Sequence, residues 1–288
     1  MDLAILLKQT LNGISVILIL MLIAVGLTVI FGMMRVINMA HGDLFMLGAY
    51  TLYLVVAAGY SFWLGVVLAP VVVGVIGVGM ERICLWFLYG RRDLSSLLAT
   101  WGFGIIFQQA VKLLVGPEPR FVPSPIEGEV SFLGVNYPVV RVLIMAISVA
   151  ILLGVFWVFL KTHFGLRARA TIVNSRMASA LGIHTSRIFL LTFAFGAALA
   201  GTAGALMTPL IAVVPTMGID FIVRPFFVVI IGGLGNIFGV LGGGLIVGGT
   251  ESLFTASINT TVSQIIVFAA VVIIMLVRPR GLLGGRSP

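Results

Sequence analysis

Polar side chains that could carry protons stand at the start of one apolar stretch, in residues 35–43. Asn38 and His41 are three positions apart, so a helix would place them on one face, and Asp43 follows two positions later. Ionisable groups within a membrane helix are costly and usually functional, so a proton relay through His41 and Asp43 is one hypothesis. The alternative, which we favour, is structural: Asn38 and Asp43 cap the start of a helix and His41 bonds to a neighbour.

Two other groups of charged residues border apolar stretches. Glu81 and Arg82 are adjacent and would point in different directions on a helix, and we interpret Glu81 as a satisfied structural carboxylate rather than a substrate ligand. Asp220 and Arg224 are four positions apart, which predicts a salt bridge within one helix. A substrate gate is the alternative for this second pair.

The chain lacks the patterns of common enzyme and nucleotide sites. The glycine cluster at 232–249 contains no lysine, so the chain cannot bind ATP through a Walker phosphate loop. It has neither a nucleophile elbow nor a His-Glu-x-x-His motif. The three histidines are widely separated and Cys84 is the single cysteine. We therefore predict no catalytic residue, no cofactor and no metal site.

The composition indicates where these residues must lie. The chain has 288 residues, of which 60% are hydrophobic and only 9% are charged, and its mean hydropathy is +1.23. A soluble domain has about a quarter of its residues charged and could not hide this much apolar surface. The protein is therefore predicted to be integral to a lipid bilayer. Its net charge of +8 lies mostly in loops and at helix ends, so it does not indicate binding to nucleic acid.

The apolar runs predict the fold class. A membrane-spanning helix needs about 20 apolar residues. We predict an all-α fold, a polytopic membrane helix bundle of about 8–9 membrane segments, in which residues 1–288 form a single transmembrane domain. The predicted spans are residues 11–33, 38–58, 62–88, 95–115, 138–160, 187–212, 221–234, 237–254 and 262–277.

The loop of residues 161–187 sets the predicted orientation. It carries several lysine, arginine and histidine residues and no acidic residue, and short basic loops stay on the cytoplasmic side. Residues 91–92, the turn at 33–38 and the tail at 278–286 should lie on the same side, and residues 116–137 on the outer side. Nine crossings then place the N-terminus outside, although the charges near it give no preference.

The last part of the chain is rich in glycine. Residues 221–254 form either two short spans joined by a tight turn or one re-entrant pair that lines a substrate path. We favour a packing role, because Gly235, Gly239 and Gly243 are four positions apart and would share one helix face. The candidate residues for a path or a glycine motif here are Gly232, Gly233, Gly235 and Asn236.

Within the basic loop, two residues predict a short helix. Asn174 is a favoured N-cap residue, and Gly182 suits the position just after a helix end. A rigid helix can pass force from a moving partner, whereas a plain solvated loop, the alternative, cannot.

Several stretches resemble the permeases of branched-chain amino acid ABC transporters. The longest match is the contiguous segment GLTVIFGMMRVINMAHGDLFMLGAY, residues 26–50. Other stretches that resemble the family are residues 164–170, 191–201, 229–239 and 277–282. The resemblance covers nearly the whole chain, and the order of its motifs is similar to that of the LivH-type subunit rather than its LivM-type partner.

The resemblance implies an importer built from several chains in the inner membrane of a bacterial-type cell. A second homologous permease subunit would complete the pathway, and two cytoplasmic ATPase subunits would hydrolyse ATP. An extracytoplasmic substrate-binding protein would deliver the substrate. The permease itself would not be an enzyme.

The resemblance also assigns a role to the basic loop. In the family this loop holds the coupling helix, which rests in a groove of the ATPase. The matching positions are Asn174, Ser175, Arg176, Met177, Ala178, Ser179, Ala180, Leu181 and Gly182. The family usually has a proline and a glutamate where this chain has Ser175 and Arg176, so a basic contact replaces an acidic one.

The expected function is the passive pathway subunit of an ATP-driven importer for branched-chain amino acids or related small solutes. Urea or a short amide is the alternative substrate. A stand-alone secondary transporter is the alternative mechanism, and it would need an embedded charge relay, for which only His41, Asp43 and Glu81 are candidates.

Overall fold

The computed structural model describes residues 3–34, 36–89, 93–132, 135–257, 259–278 and 281–282, and about four fifths of them are helical. Every apolar run predicted above to be a span forms a helix, so the predicted all-α bundle is confirmed. The helices are α1 (Leu3–Met34), α2 (His41–Ala57), α3 (Phe62–Met80), α4 (Trp86–Leu88), α5 (Asp93–Leu114), α6 (Val139–Lys161), α7 (His163–Val173), α8 (Ser175–Ala180), α9 (Thr185–Met207), α10 (Met217–Gly232), α11 (Ile237–Ser257) and α12 (Thr260–Val277). A π-helical turn, Glu81–Leu85, joins α3 to α4 in one continuous helix.

Six helices among the described residues are long and apolar enough to cross a membrane. They are Leu7–Met34, Phe62–Leu88, Leu94–Leu114, Val139–Lys161, Thr185–Met207 and Ile237–Thr255. Two further apolar helices, His41–Ala57 and Thr261–Val277, are shorter. The basic loop contains the two helices α7 and α8, which run between α6 and α9.

The first helix, α1, forms the centre of the bundle. The most apolar window of Leu7–Met34 is 78% buried, against 17% for Leu94–Leu114 at the periphery. α1 packs against α6, α9, α10 and α11. Small residues bring these helices close together: a Cβ atom at Gly196 of α9 would stand only 2.8 Å from the Gly26 carbonyl oxygen of α1.

One end of the bundle collects the segments that were predicted to be cytoplasmic. Met34 at the end of α1, Tyr89 after α4 and Asn174 in the basic loop line the same cavity. The Leu282 N–H donates to the Ile231 carbonyl oxygen at 2.8 Å, so the end of the described chain lies beside α10. We name this the cytoplasmic end and the opposite one the outer end after the orientation predicted from the loop charges, which itself stays a prediction.

Several basic residues that entered the orientation argument lie outside the described residues. They are Arg35, Arg91, Arg92, Arg280 and Arg286. Their cytoplasmic location stays a prediction.

The opposite, outer end carries a small antiparallel hairpin that the helical periodicity did not predict. Strand β1 (Glu129–Phe132) pairs with β2 (Val135–Pro138), with Val130 opposite Tyr137. Nearby, the Arg120 N–H donates to the Val213 carbonyl oxygen at 2.9 Å, which links two outer loops.

Candidate functional site

The chain turns back into the bundle between α1 and α2. The His41 Nε2 atom lies 3.1 Å from the carbonyl oxygen of Ile23, in the interior of α1 rather than at its end. α2 therefore begins beside the middle of α1. Residues 36–40, which precede it, are not helical, and Val36, Asn38 and Ala40 are buried.

A threonine of α5 supports this non-helical segment. The Thr100 hydroxyl accepts a hydrogen bond from the Met39 N–H at 3.1 Å and lies 3.3 Å from the Ile37 carbonyl oxygen. Non-helical backbone at membrane depth is tolerated only where protein or water satisfies it. Thr100 meets that condition for part of this break in the helical path.

The carboxylate of Asp43 lies between α2, α5 and α10. Its Oδ1 atom accepts a hydrogen bond from Gln108 Nε2 at 2.8 Å. A Cβ atom at Gly218 would stand 2.6 Å from the same oxygen, and one at Gly104 would stand even closer to Oδ2. The two glycines therefore make room for the carboxylate, which borders a cavity of about 160 Å³. Its place in the first turn of α2 also suits a negative charge.

The structure corrects the predicted caps. Ala40 is the N-cap of α2 and makes no side-chain cap hydrogen bond, so the predicted capping by Asn38 and Asp43 is wrong. The reason is that tertiary contacts place the helix start at His41, after Asn38 and before Asp43. Among the described residues, the amide oxygen and nitrogen of Asn38 are buried without a hydrogen-bond partner.

The contact predicted for His41 is present, and His41 and Asp43 have different partners. His41 bonds to α1, whereas Asp43 bonds to α5. Thr100 and Gln108 were not predicted as site residues, although a glutamine inside an apolar run was a visible signal.

The buried carboxylate of Glu81 has a partner near the cytoplasmic end. The Tyr89 hydroxyl donates to Glu81 Oε1 at 2.7 Å, as expected for a satisfied structural carboxylate. Burial first, and then the hydrogen bond to Glu81 and its charge, raise the pKa of the Tyr89 phenol above its usual range.

The predicted glycine motif forms the turn between α10 and α11. Gly233 and Gly235 have φ values of 101° and 81°, in the region that favours glycine. Asn236 Oδ1 accepts from the backbone N–H groups of Phe238 at 3.0 Å and Gly239 at 3.2 Å, and so caps α11. The region is thus two helices joined by a tight turn, and α11 is long enough to cross a membrane.

Glycines of this region pack in two directions. Gly232 and Gly239 bring the backbones of α10 and α11 together, as expected for close packing. The predicted face shared by Gly235, Gly239 and Gly243 is wrong for Gly235, because α11 begins only at Ile237. Gly235 instead lies against Gly32 of α1.

The short helix predicted in the basic loop is present as α8. The Asn174 side chain accepts from the Met177 N–H at 3.0 Å, so Asn174 is the N-cap. Gly182 has a φ of 87°, its N–H donates to the Ser179 carbonyl oxygen, and the Ile183 N–H donates to the Ala178 carbonyl oxygen. These two bonds form a Schellman motif.

The surface of α8 is largely exposed. Among its residues only Ala178 is buried; Ser175, Arg176, Ser179 and Ala180 are exposed. Met177 and Leu181 are 58% and 76% exposed, and their spacing of four places them on one side of α8. Val173, the last residue of α7, is 86% exposed but is separated from α8 by the extended residue Asn174. Exposed apolar side chains on a polar loop are typical of an interaction surface.

The salt bridge predicted within α10 is replaced by one between helices. Arg224 Nη2 lies 3.2 Å from Glu251 Oε1 of α11, so the predicted pairing with Asp220 is wrong. The neighbouring helix supplies the closer carboxylate, which the spacing rule within one helix could not indicate.

Comparison with known proteins identifies the family. Residues 9–276 match the family described as "Branched-chain amino acid transport system / permease component". The chain belongs to this family. It is therefore a membrane permease subunit, as the resemblance implied, and its spanning helices place it in the cell membrane.

Two relatives match over almost their full lengths. The chain is 30% identical to the high-affinity branched-chain amino acid transport system permease protein LivH of Escherichia coli K12, over 96% of this chain and 95% of the relative. It is 29% identical, with the same coverage, to BraD of Pseudomonas aeruginosa.

A more distant relative is the permease protein LivM of Salmonella typhimurium. It is 27% identical over 94% of this chain and 69% of its own length. No solved structure shows a significant match.

Proposed function

We propose that this chain is the pathway subunit of an ATP-driven importer for branched-chain amino acids, with motion supplied by separate ATPase subunits. The observation that carries the coupling part of this proposal is α8, a short helix with a defined beginning and end at the cytoplasmic end of the bundle. The family membership and the names of the relatives support the substrate class.

The shape of α8 suits the transfer of force. Its N-cap at Asn174 and its Schellman end at Gly182 hold it as a unit, and the exposed side chains of Met177 and Leu181 offer an apolar contact. Against the bundle, Ala178 is the buried contact. A partner that binds Met177 and Leu181 would therefore move α8 together with the ends of α7 and α9.

Arg176 adds a basic group to the exposed surface of α8. It is exposed, and it lines a cavity of about 410 Å³ together with Met34, Tyr89 and Phe189. An ATPase that pairs with this chain should accept a positive charge there, because a fixed like-charge contact would be penalised.

The test is Gly182→Val in the assembled transporter. A β-branched side chain disfavours the φ of 87° by roughly 1–2 kcal/mol, which loosens the end of α8. We expect ATP-driven uptake to fall at least tenfold while ATP hydrolysis and assembly persist, measured with labelled leucine in proteoliposomes. Uptake at the parent rate would overturn the coupling assignment.

The outer end offers a matched control for this variant. Gly59 follows α2 with a φ of 84°, and the same two backbone bonds form there: the Gly59 N–H donates to Val56 and the Tyr60 N–H to Val55. A Cβ atom meets no atom within 4 Å at either Gly59 or Gly182, so both valine variants carry the same backbone strain and no clash. Gly59→Val should leave coupling intact.

Two alternatives remain testable within the same system. The melting temperature of the cognate binding protein, measured with leucine and with urea, decides the substrate class. Uphill uptake by this chain reconstituted without any other subunit would favour the secondary transporter instead.

A further inference from the structure

A large cavity lies between α10 and α12, with an ion pair in its wall. The cavity measures about 660 Å³ and includes both Arg224 and Glu251 among its lining residues. The guanidinium Nη2 and the carboxylate Oε1 are 3.2 Å apart, and both side chains keep some exposure, 28% and 15%. The pair is thus reachable from the cavity.

The rest of the cavity is mainly apolar. Val223, Phe227, Ile265 and Phe268 line it, and Phe227 and Phe268 pack with ring centroids 5.8 Å apart. An apolar chamber with a few convergent polar groups is the usual form of a small-molecule site.

The ion pair lies within the length of the spanning helix α11, and the apolar side chains of Ile219, Val223, Ile265 and Phe268, which line the cavity, are also exposed on the protein surface. Glu251 lies between Gly248, which packs on Ile17 of α1, and Ser252, which packs on Gly13. It is therefore within the span, where charged groups face protein or water rather than lipid. Asp220 also lines this cavity and is exposed.

A second cavity reaches the same pair from the other side. This cavity of about 350 Å³ is lined by Gln9 and Asn12 of α1, and again by Arg224 and Glu251. The ion pair therefore separates two chambers, one beside α1 and one between α10 and α12.

We propose that the Arg224–Glu251 pair is a binding site for a zwitterionic α-amino acid with an apolar side chain. The α-carboxylate of the ligand binds the guanidinium, the α-ammonium binds the carboxylate, and the side chain enters the apolar part of the cavity. This inference rests on the proposed function and names a site for its substrate.

Charge balance favours a zwitterion over other ligands. The closed pair and the liganded pair both have no net charge, so binding adds no unpaired charge to the membrane interior. A ligand with only one charged group would leave one member of this partly buried pair unpaired, which is unfavourable. A neutral amide such as urea could not replace the ion pair at all.

The experiment uses the complete transporter with its partner subunits, in lipid nanodiscs, without the soluble binding protein. Equilibrium binding of labelled leucine is measured for the parent and for the double variant Arg224→Met/Glu251→Leu. The pair is only partly buried, and replacing even a fully buried pair by apolar residues of similar volume is often neutral for stability, so the double variant should assemble with an unchanged melting temperature. We expect its leucine binding to weaken at least tenfold.

The charge requirement is tested with two competitors on the parent transporter. Leucinamide lacks the carboxylate and 4-methylpentanoate lacks the ammonium, and each should compete at least tenfold more weakly than leucine. Arg82→Met is the control, because Arg82 is exposed in the π-helical turn and does not line the cavity. It should bind leucine as the parent does.

The outcomes separate this inference from the proposed function. Equal leucine binding by the parent and the double variant, or equal competition by leucinamide, would overturn the site while leaving amino acid import intact. If the complete system with its binding protein imports urea and no amino acid, both proposals fail.

Discussion

The helical path is interrupted at two places beside α1, and different contacts stabilise the two interruptions. Between α1 and α2, side-chain hydrogen bonds stabilise the interruption: Thr100 bonds the non-helical backbone and Gln108 bonds Asp43. Between α10 and α11, the turn relies on glycines whose backbones touch, with Asn236 as the cap.

The two interruptions differ in how readily their contacts can be exchanged for others. Contacts between glycine backbones are fixed by shape, because any added side chain collides. Hydrogen bonds from side chains can be exchanged for others at small cost, and the buried amide of Asn38 has no partner among the described residues. We therefore expect the break before α2 to tolerate change better than the turn before α11.

The largest effect is expected from a substitution in the glycine contact between α10 and α11. Gly239→Leu places a side chain against the Gly232 carbonyl of α10, and backbone cannot yield as a flexible side chain does. We expect the yield of folded protein to fall several-fold, measured by size-exclusion chromatography in detergent. Gly249→Leu on the same helix is the control, since a Cβ atom there meets nothing within 4 Å. Equal yields would show that the α10–α11 contact is not rigid.

The next largest effect is expected at the Asp43 carboxylate, beside the break between α1 and α2. Asp43→Asn keeps the shape of the side chain but removes the charge that accepts from Gln108 and suits the start of α2. We expect a loss of about 1–2 kcal/mol in stability and a lower yield, with an unchanged substrate profile. A clean change in specificity at normal yield would instead assign Asp43 to the pathway.

A smaller effect is expected at Thr100. Thr100→Val removes the hydroxyl that bonds Met39, which should cost about 0.6–1.5 kcal/mol, in the range for hydrogen bonds between membrane helices. Thr100→Ser keeps the hydroxyl and should restore most of the thermal stability. If valine and serine behave alike, the hydroxyl does not support the break.

The smallest effect is expected at Asn38. Its amide makes no hydrogen bond within the described residues, so Asn38→Leu should change the free energy of unfolding by less than about 1 kcal/mol in either direction. Labelled-leucine uptake is measured alongside. Lost uptake at unchanged stability would mean that Asn38 acts during transport, which would sharpen the contrast with the glycine turn.

Local signals predicted local features well. Asn174 and Gly182 lie at the ends of one short segment, and their cap preferences suffice to define α8. The apolar runs likewise predicted the spanning helices, because the length of each depends only on its own residues.

Features that depend on distant residues could not be predicted in this way. Arg224 has a carboxylate four positions before it, yet it pairs with Glu251 on the next helix. Asn38 has the residue type of a cap, but contacts with α1 and α5 place the helix start later. The β1–β2 hairpin has too few residues to leave a clear periodic signal.

The central place of α1 has a consequence for how the protein is made. α1 is synthesised well before α9, α10 and α11, which cover it. It must therefore be stable among lipids by itself before its partners emerge. Its window has a hydropathy of 3.0, the highest among the candidate spans of the described residues, although it ends up largely shielded from lipid. Membrane insertion before its partners are made, rather than packing in the finished fold, explains why the most buried of the candidate spans is also the most apolar.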